Sequence, residues 1–207
     1  MIIGVDEVGR GPLAGPVTVA AFSAPQSMRG KLIKILGSKI KDSKKLSHVE
    51  RTAINRSICE LKQAGELDFK ITHIQHSVID RIGITNAVKF GIAKSLAKLD
   101  HKNLKYQGHP GTQLAVRLDG LLKAPGEYEN QKTIIKGDEK DVFIACASIV
   151  AKVARDRLMA RRARQYPLYA FEIHKGYGTK HHCSAIAQHG LSKIHRLTFC
   201  SRFLELT

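Results

Sequence analysis

Ile2-Ile3-Gly4-Val5-Asp6-Glu7-Val8-Gly9-Arg10-Gly11-Pro12-Leu13-Ala14-Gly15-Pro16-Val17-Thr18-Val19-Ala20-Ala21-Phe22 opens the chain and decides its fold. Two short apolar runs with β-branched residues, Ile2 to Val5 and Val17 to Phe22, read as buried strands. Between them Gly9, Gly11, Pro12, Gly15 and Pro16 rule out regular structure. Parallel strands need a long crossover, usually helical, so this helix-free link argues for an antiparallel pair.

Working outward, Ser47-His48-Val49-Glu50 matches a capping box, and its helix carries Val49, Ala53, Ile54, Ile58 and Leu61 on one face. Leu67 to Ile74 alternates as a strand does, with Leu67, Phe69 and Ile71 on one side. Thr85 to Leu99 reads as an amphipathic helix with the stripe Val88, Ile92, Leu96 and Leu99. Leu114 to Leu118 and Thr133 to Ile135 are the next strands, and a long helix is expected to start near Asp138. Its first half, Val142 to Val153, is apolar nearly all round and should be buried; its basic second half, Arg155 to Arg164, should emerge into solvent. Pro167 ends it. Lys180 to Leu206 reads as two short helices. Strands interleaved with helices imply an α/β fold, a mixed β-sheet flanked by helices, with a main unit over 1–165 and a small helical C-terminal extension over 166–207.

Charge gives the first functional hint. Among 207 residues, 34 Lys plus Arg stand against 18 Asp plus Glu, a net charge of +16, which favours polyanionic partners. A hydrophobic content of 43% is enough for a folded core. Two acids interrupt the N-terminus where a signal peptide needs its apolar stretch, and no apolar run is long enough to span a bilayer. The four cysteines show no CxxC spacing. A reduced, cytoplasmic compartment and no membrane association are expected.

The acids are placed unusually. Asp6 and Glu7 follow an apolar strand at the start of a glycine-rich loop, where sites in α/β folds gather. Adjacent strand residues point to opposite faces, so both serve one site only if the strand ends or twists there. Asp119 follows another strand, although Asp119-Gly120 is also a turn signal. Asp138 follows Gly137 before a helix, the usual setting of an N-cap. Clustered carboxylates resist common ionisation. Two hard cations, Mg²⁺ or Mn²⁺, would relieve that repulsion and support phosphodiester hydrolysis. His181, His182, Cys183, His189 and His195 fit no structural zinc spacing and read as histidines of a basic surface. No GxxxxGK[ST] or GxGxxG motif occurs.

The run Asp6 to Pro16 resembles the signature of ribonuclease HII, the type 2 ribonuclease H family. Asp42-Ser43-Lys44-Lys45-Leu46-Ser47, Leu118-Asp119-Gly120, Lys136-Gly137-Asp138, Ala147 to Val153 with Arg155-Asp156, Lys175-Gly176-Tyr177-Gly178-Thr179, His195-Arg196 and Phe199 follow in family order. The resemblance covers almost the whole chain. It departs at His174, where asparagine is usual, and at Cys146, where alanine is common. It implies a ribonuclease H-like catalytic domain over 1–165 and a C-terminal helical extension carrying the Tyr177 loop. The implied activity is endonucleolytic cleavage of RNA in RNA–DNA hybrids and at ribonucleotides embedded in duplex DNA, leaving 3′-hydroxyl and 5′-phosphate ends. Carried over by position, Asp6, Glu7, Asp119 and Asp138 would bind two metal ions. Gly9, Arg10 and Gly11 would read the ribonucleotide, Tyr177 would stack beneath the adjoining sugar, and Ser43 and Lys44 would hold phosphate. A monomer is expected, since no exposed apolar stripe stands out. The competing readings are a junction resolvase of similar fold, which would share the acids but not the Gly9-Arg10-Gly11 loop, and a non-catalytic basic nucleic-acid-binding module.

Overall fold

The computed structural model describes residues 1–37, 46–99 and 114–204. Ser43 and Lys44 lie outside the described residues. Within them, β1 (Ile2–Val8), β2 (Val17–Ala24), β3 (Asp68–Ile74), β4 (Ala115–Asp119) and β5 (Gln131–Ile134) form one sheet in the order β3-β2-β1-β4-β5. β1 pairs antiparallel with β2, and β2 with β3, whereas β4 runs parallel to both β1 and β5. The sheet is mixed, as the helix-free link required.

Side-chain alternation along β1 sorts the core into two layers. Ile2 packs with α1 (Arg29–Leu36), α2 (His48–Gln63) and α5 (Val142–Gln165), whereas Ile3 and Val5 pack with α3 (His76–Ala97). Ser47 caps α2 in the expected reciprocal box with Glu50. Ile54, Ile58 and Leu61 face the core as anticipated, but Val49 is exposed. α3 starts at His76, nine residues earlier than the pattern indicated, and a kink at Gly83 separates its opening turns from the stripe of Val88, Ile92 and Leu96.

The long helix corrects two expectations. It is capped by Asp141, whose Oδ1 accepts from the Phe143 and Ile144 amides at 2.9 and 3.2 Å. Arg117 fixes the other Asp141 oxygen at 2.6 Å, so the cap is tied to β4. Asp138 belongs instead to a separate single turn, α4 (Gly137–Lys140). Nor does the second half of α5 simply emerge into solvent. Arg155, Asp156, Met159 and Ala163 are buried, because the segment after Tyr166 folds back over that face. The segment includes α6 (Phe171–His174) and α7 (Lys180–His189), and it joins Leu13 and Ala14 in a third apolar cluster with Tyr169, Phe171, Ile186 and Ile194.

Close approach of α5 to β1 depends on one missing side chain. A Cβ on Gly4 would overlap the backbone carbonyl of Phe143. Gly4→Ala should therefore push the helix off the strand and cost about 1–3 kcal/mol of stability. Urea unfolding checks this, and an unchanged midpoint would contradict the packing described.

Candidate active site

The pairing of β1 explains how Asp6 and Glu7 share one site. The strand does not end before them, as expected; it pairs with β2 as far as Val8 and Thr18. Its other neighbour stops first, because pairing with β4 ends at Val5 and Leu118. Beyond that point β1 has an open flank. Asp6 continues the face that carries Gly4, towards α5, and Asp119 continues the face of Arg117 at the same level of β4. Glu7 lies on the opposite face, at the end of the notch that β4 leaves open.

Asp6, Glu7, Asp119 and Asp138 all line one cavity of about 330 Å³. Arg51, Ser148, Lys152 and Tyr177 complete much of its lining. Asp119 Oδ1 accepts the Gly137 amide at 2.6 Å, which fastens the end of β4 to the turn bearing Asp138. Asp6 Oδ1 accepts the Glu7 amide at 2.7 Å. Burial pushes the Asp6 carboxyl well above its ordinary range, and the charges of Glu7 and Asp119 push it further, against a hydrogen bond from Ser148. Glu7 is also raised, chiefly by burial, with Arg10 opposing at 3.3 Å. Among the described residues no three His, Cys, Asp or Glu side chains are gathered on one point, so gripping an ion asks these carboxylates to rotate within the cavity. The donor set itself, oxygen-only and strongly anionic, suits hard divalent cations.

The glycine-rich loop is held from behind by two buried arginines. Arg196 donates to the carbonyls of Gly9 at 2.6 Å, Arg10 at 2.7 Å and Gly15 at 2.9 Å. Arg155 donates to Pro16 at 2.9 Å, Lys175 at 3.0 Å and Ala14 at 3.3 Å. A trans peptide points its C=O and N–H in opposite directions. Drawing the Gly9 and Arg10 carbonyls inward therefore turns the Arg10 and Gly11 amides outward. Gly9 has φ +88°, and a Cβ there would overlap the Arg155 side chain, so only glycine fits. Burial, with Arg155 nearby, brings Arg196 down to about 9, still a cation at neutral pH.

Tyr177 is part-exposed at the cavity rim, as its flanking glycines indicated, and the Arg155 guanidinium lies 5.8 Å from its ring centre. Sequence reasoning missed Ser148 and Lys152, although polar residues spaced four apart in an apolar helix mark one face. It also placed the histidines wrongly. His182 and His195 are buried rather than on a basic surface, while His181 and His189 are exposed.

A family model described as Ribonuclease HII matches residues 3–202. The ribonuclease HII of Endomicrobium trichonymphae is 41% identical over 198 residues, covering 96% of this chain and 84% of that relative. The chain belongs to the ribonuclease HII family. Its fold is ribonuclease H-like: ribonuclease H2 from Pyrococcus horikoshii OT3 superposes with a TM-score of 0.77 at 22% identity, covering 99% of this chain and 97% of that one. Bst-RNase HIII in complex with Mn²⁺ superposes with a TM-score of 0.76 at 22% identity, covering 99% of this chain and 69% of that one. As a ribonuclease HII the protein is an endoribonuclease of the ribonuclease H class, with nucleic acid as its substrate. Among the described residues no helix is long and apolar enough to cross a membrane.

Asp6 and Glu7 bind protons more tightly in the folded than in the unfolded chain. Stability is therefore lost as pH rises from the ordinary carboxylate value through the raised one. In chelator, Asp6→Asn should melt above the wild type, with a margin that grows across that window and then levels off. Thermal melts between about pH 5 and about pH 9 test the sign. Arg196→Leu should leave three carbonyls without their guanidinium and cost on the order of 3 kcal/mol in urea unfolding.

Proposed function

We propose that Asp6, Glu7, Asp119 and Asp138 are the metal-binding catalytic carboxylates, and that the enzyme cleaves RNA in RNA–DNA hybrids and at ribonucleotides embedded in duplex DNA. The observation that carries this is the meeting of all four at one cavity, with Tyr177 on its rim and the Gly9-Arg10-Gly11 loop beside it. The cofactor would be a pair of Mg²⁺ or Mn²⁺ ions; Mn²⁺ is the metal of the structurally similar Bst-RNase HIII complex. When bound, such a pair supplies an activated water and stabilises the leaving oxygen, leaving 3′-hydroxyl and 5′-phosphate ends.

The protein's own groups do the rest. Ser148 and the Glu7 amide orient Asp6 by hydrogen bonds, and the Gly137 amide orients Asp119. The Arg10 and Gly11 amides, turned outward by Arg196, are donors for the 2′-hydroxyl that separates RNA from DNA. The Tyr177 ring offers a flat face to the neighbouring sugar, and the Arg155 guanidinium beneath it limits its travel. Ser43 and Lys44 complete the reading as phosphate ligands. The protein is read as a monomer and as cytoplasmic.

The deciding assay compares an all-DNA duplex, a duplex with one ribonucleotide and a long hybrid. The wild type should cut the last two only, and only with divalent metal. Asp6→Asn should lower turnover about a hundredfold or more, the range seen when one preorganised electrostatic group is removed. Persistent cleavage in excess chelator would refute the metal roles. Tyr177→Ala should cost about tenfold at the single ribonucleotide, from a stacking contact on the order of 1–3 kcal/mol. An equal loss on the long hybrid would deny it a junction role.

A further inference from the structure

Behind the Tyr177 loop lie three histidines that the cleavage reaction does not touch. His174, His182 and His195 are buried against Phe171, with ring centres 5.9, 5.4 and 5.9 Å from it. His174 stacks on His182 at 4.3 Å with an 18° tilt. Their hydrogen bonds determine where each proton sits. His182 Nδ1 is 2.9 Å from the Tyr177 carbonyl, which can only accept, so Nδ1 carries the proton and Nε2 is left to accept. At the far end, His195 Nδ1 is 2.8 Å from both the Ser192 amide and the Ser192 hydroxyl and 3.3 Å from the Ser192 carbonyl; the amide is much nearer than the carbonyl and can only donate, which puts the His195 proton on Nε2. The two Nε2 atoms are 3.0 Å apart, and the assignments from the two ends agree on one donor and one acceptor. His174 repeats the pattern. Its Nδ1 accepts the Gly176 amide at 3.2 Å, and its Nε2 donates to the Tyr169 carbonyl at 2.6 Å.

We propose that His182 and His195, braced by His174, form a neutral, proton-ordered strut that positions Tyr177. All three are positioning residues, and the inference rests on the reading of Tyr177 as a substrate-stacking ring. The strut runs from Ser192 through both imidazoles to the Tyr177 carbonyl, fixing the peptide that carries the ring. A second proton on either ring would put donor against donor, at the shared Nε2 contact or at the Ser192 amide. Burial keeps both rings from gaining it, holding His182 and His195 down to about 4. His174, where the family pattern has asparagine, adds a ring that stacks on the strut and ties the Gly176 amide beside Tyr177.

A double-mutant cycle on the full-length enzyme tests this, using a duplex with one embedded ribonucleotide and Mn²⁺. His182→Leu removes both strut bonds and should lower kcat/KM about tenfold, the scale of losing one or two buried hydrogen bonds. In a Tyr177→Ala background the same change should cost less than about twofold. His182→Asn, whose amide nitrogen can take the Nδ1 role, should recover part of the loss. Fully multiplicative losses would overturn the strut while leaving Tyr177 its role. No effect of Tyr177→Ala alone would overturn the substrate reading and the strut with it. Nitrogen-15 NMR of the wild-type histidines is independent of whether the variants fold. Neutral rings with Nδ1–H on His182 and Nε2–H on His195 at neutral pH support the proposal; a charged ring or the opposite tautomers overturn it.

Discussion

Pairing between β1 and β4 ceases at Val5 and Leu118, while β1 continues along β2 through Asp6, Glu7 and Val8. That mismatch in length opens a notch in the middle of a sheet, where a strand would otherwise be flanked on both sides. A carboxylate placed there is buried enough to feel its neighbours, yet it has a free path to the cavity. The same mismatch brings Asp119 level with Asp6, and the 2.6 Å bond from the Gly137 amide carries Asp138 to the cavity's edge. Burial of these carboxylates, and repulsion among them, works against the fold when they are ionised. Held above their ordinary range, Asp6 and Glu7 are charges that the apolar layers of the sheet must support from either side.

A second constraint organises the opposite side of the cavity. Arg155 and Arg196 are among the largest fully buried side chains, and among the described residues neither forms an ion pair with a carboxylate. Six carbonyl bonds take that place. Carbonyls satisfy a guanidinium fork without bringing more negative charge near a cavity already crowded with it. They also convert a flexible glycine-rich loop into a fixed one, since each bond sets a peptide plane. Because Arg155 spans from Ala14 and Pro16 to Lys175, it ties the loop to the Tyr177 turn.

Much of this was legible in the sequence, and the gaps have physical causes. The strand-loop-strand opening, the Ser47 box and the acids at strand ends all carry local signals. The notch does not, because where β4 stops pairing depends on residues more than a hundred positions away. Choosing between Asp138 and Asp141 as the helix cap also required tertiary information, namely which of the two Arg117 reaches. The burial of Arg155 had a signal that was overridden by its charge. Ala147, Ala151, Arg155, Met159 and Ala163 follow one another at intervals of four along α5, and all are buried. An arginine inside such a stripe belongs to the core. His182 reads the same way beside Ala185 and Ile186, the buried residues of α7.

Charge acts on two scales in this enzyme, with opposite signs. Across the surface, a net +16 draws a polyanion in from a distance, and salt screens that attraction. Inside the cavity four carboxylates gather negative charge that Arg10 offsets only in part through Glu7, while Lys152 pairs with Asp156 and Arg51 with the Leu46 carbonyl. The surface field and the cavity therefore respond differently to salt. Ionic strength acts on the surface field through the exposed lysines and arginines, whereas the partly buried carboxylates are screened much less by bulk salt.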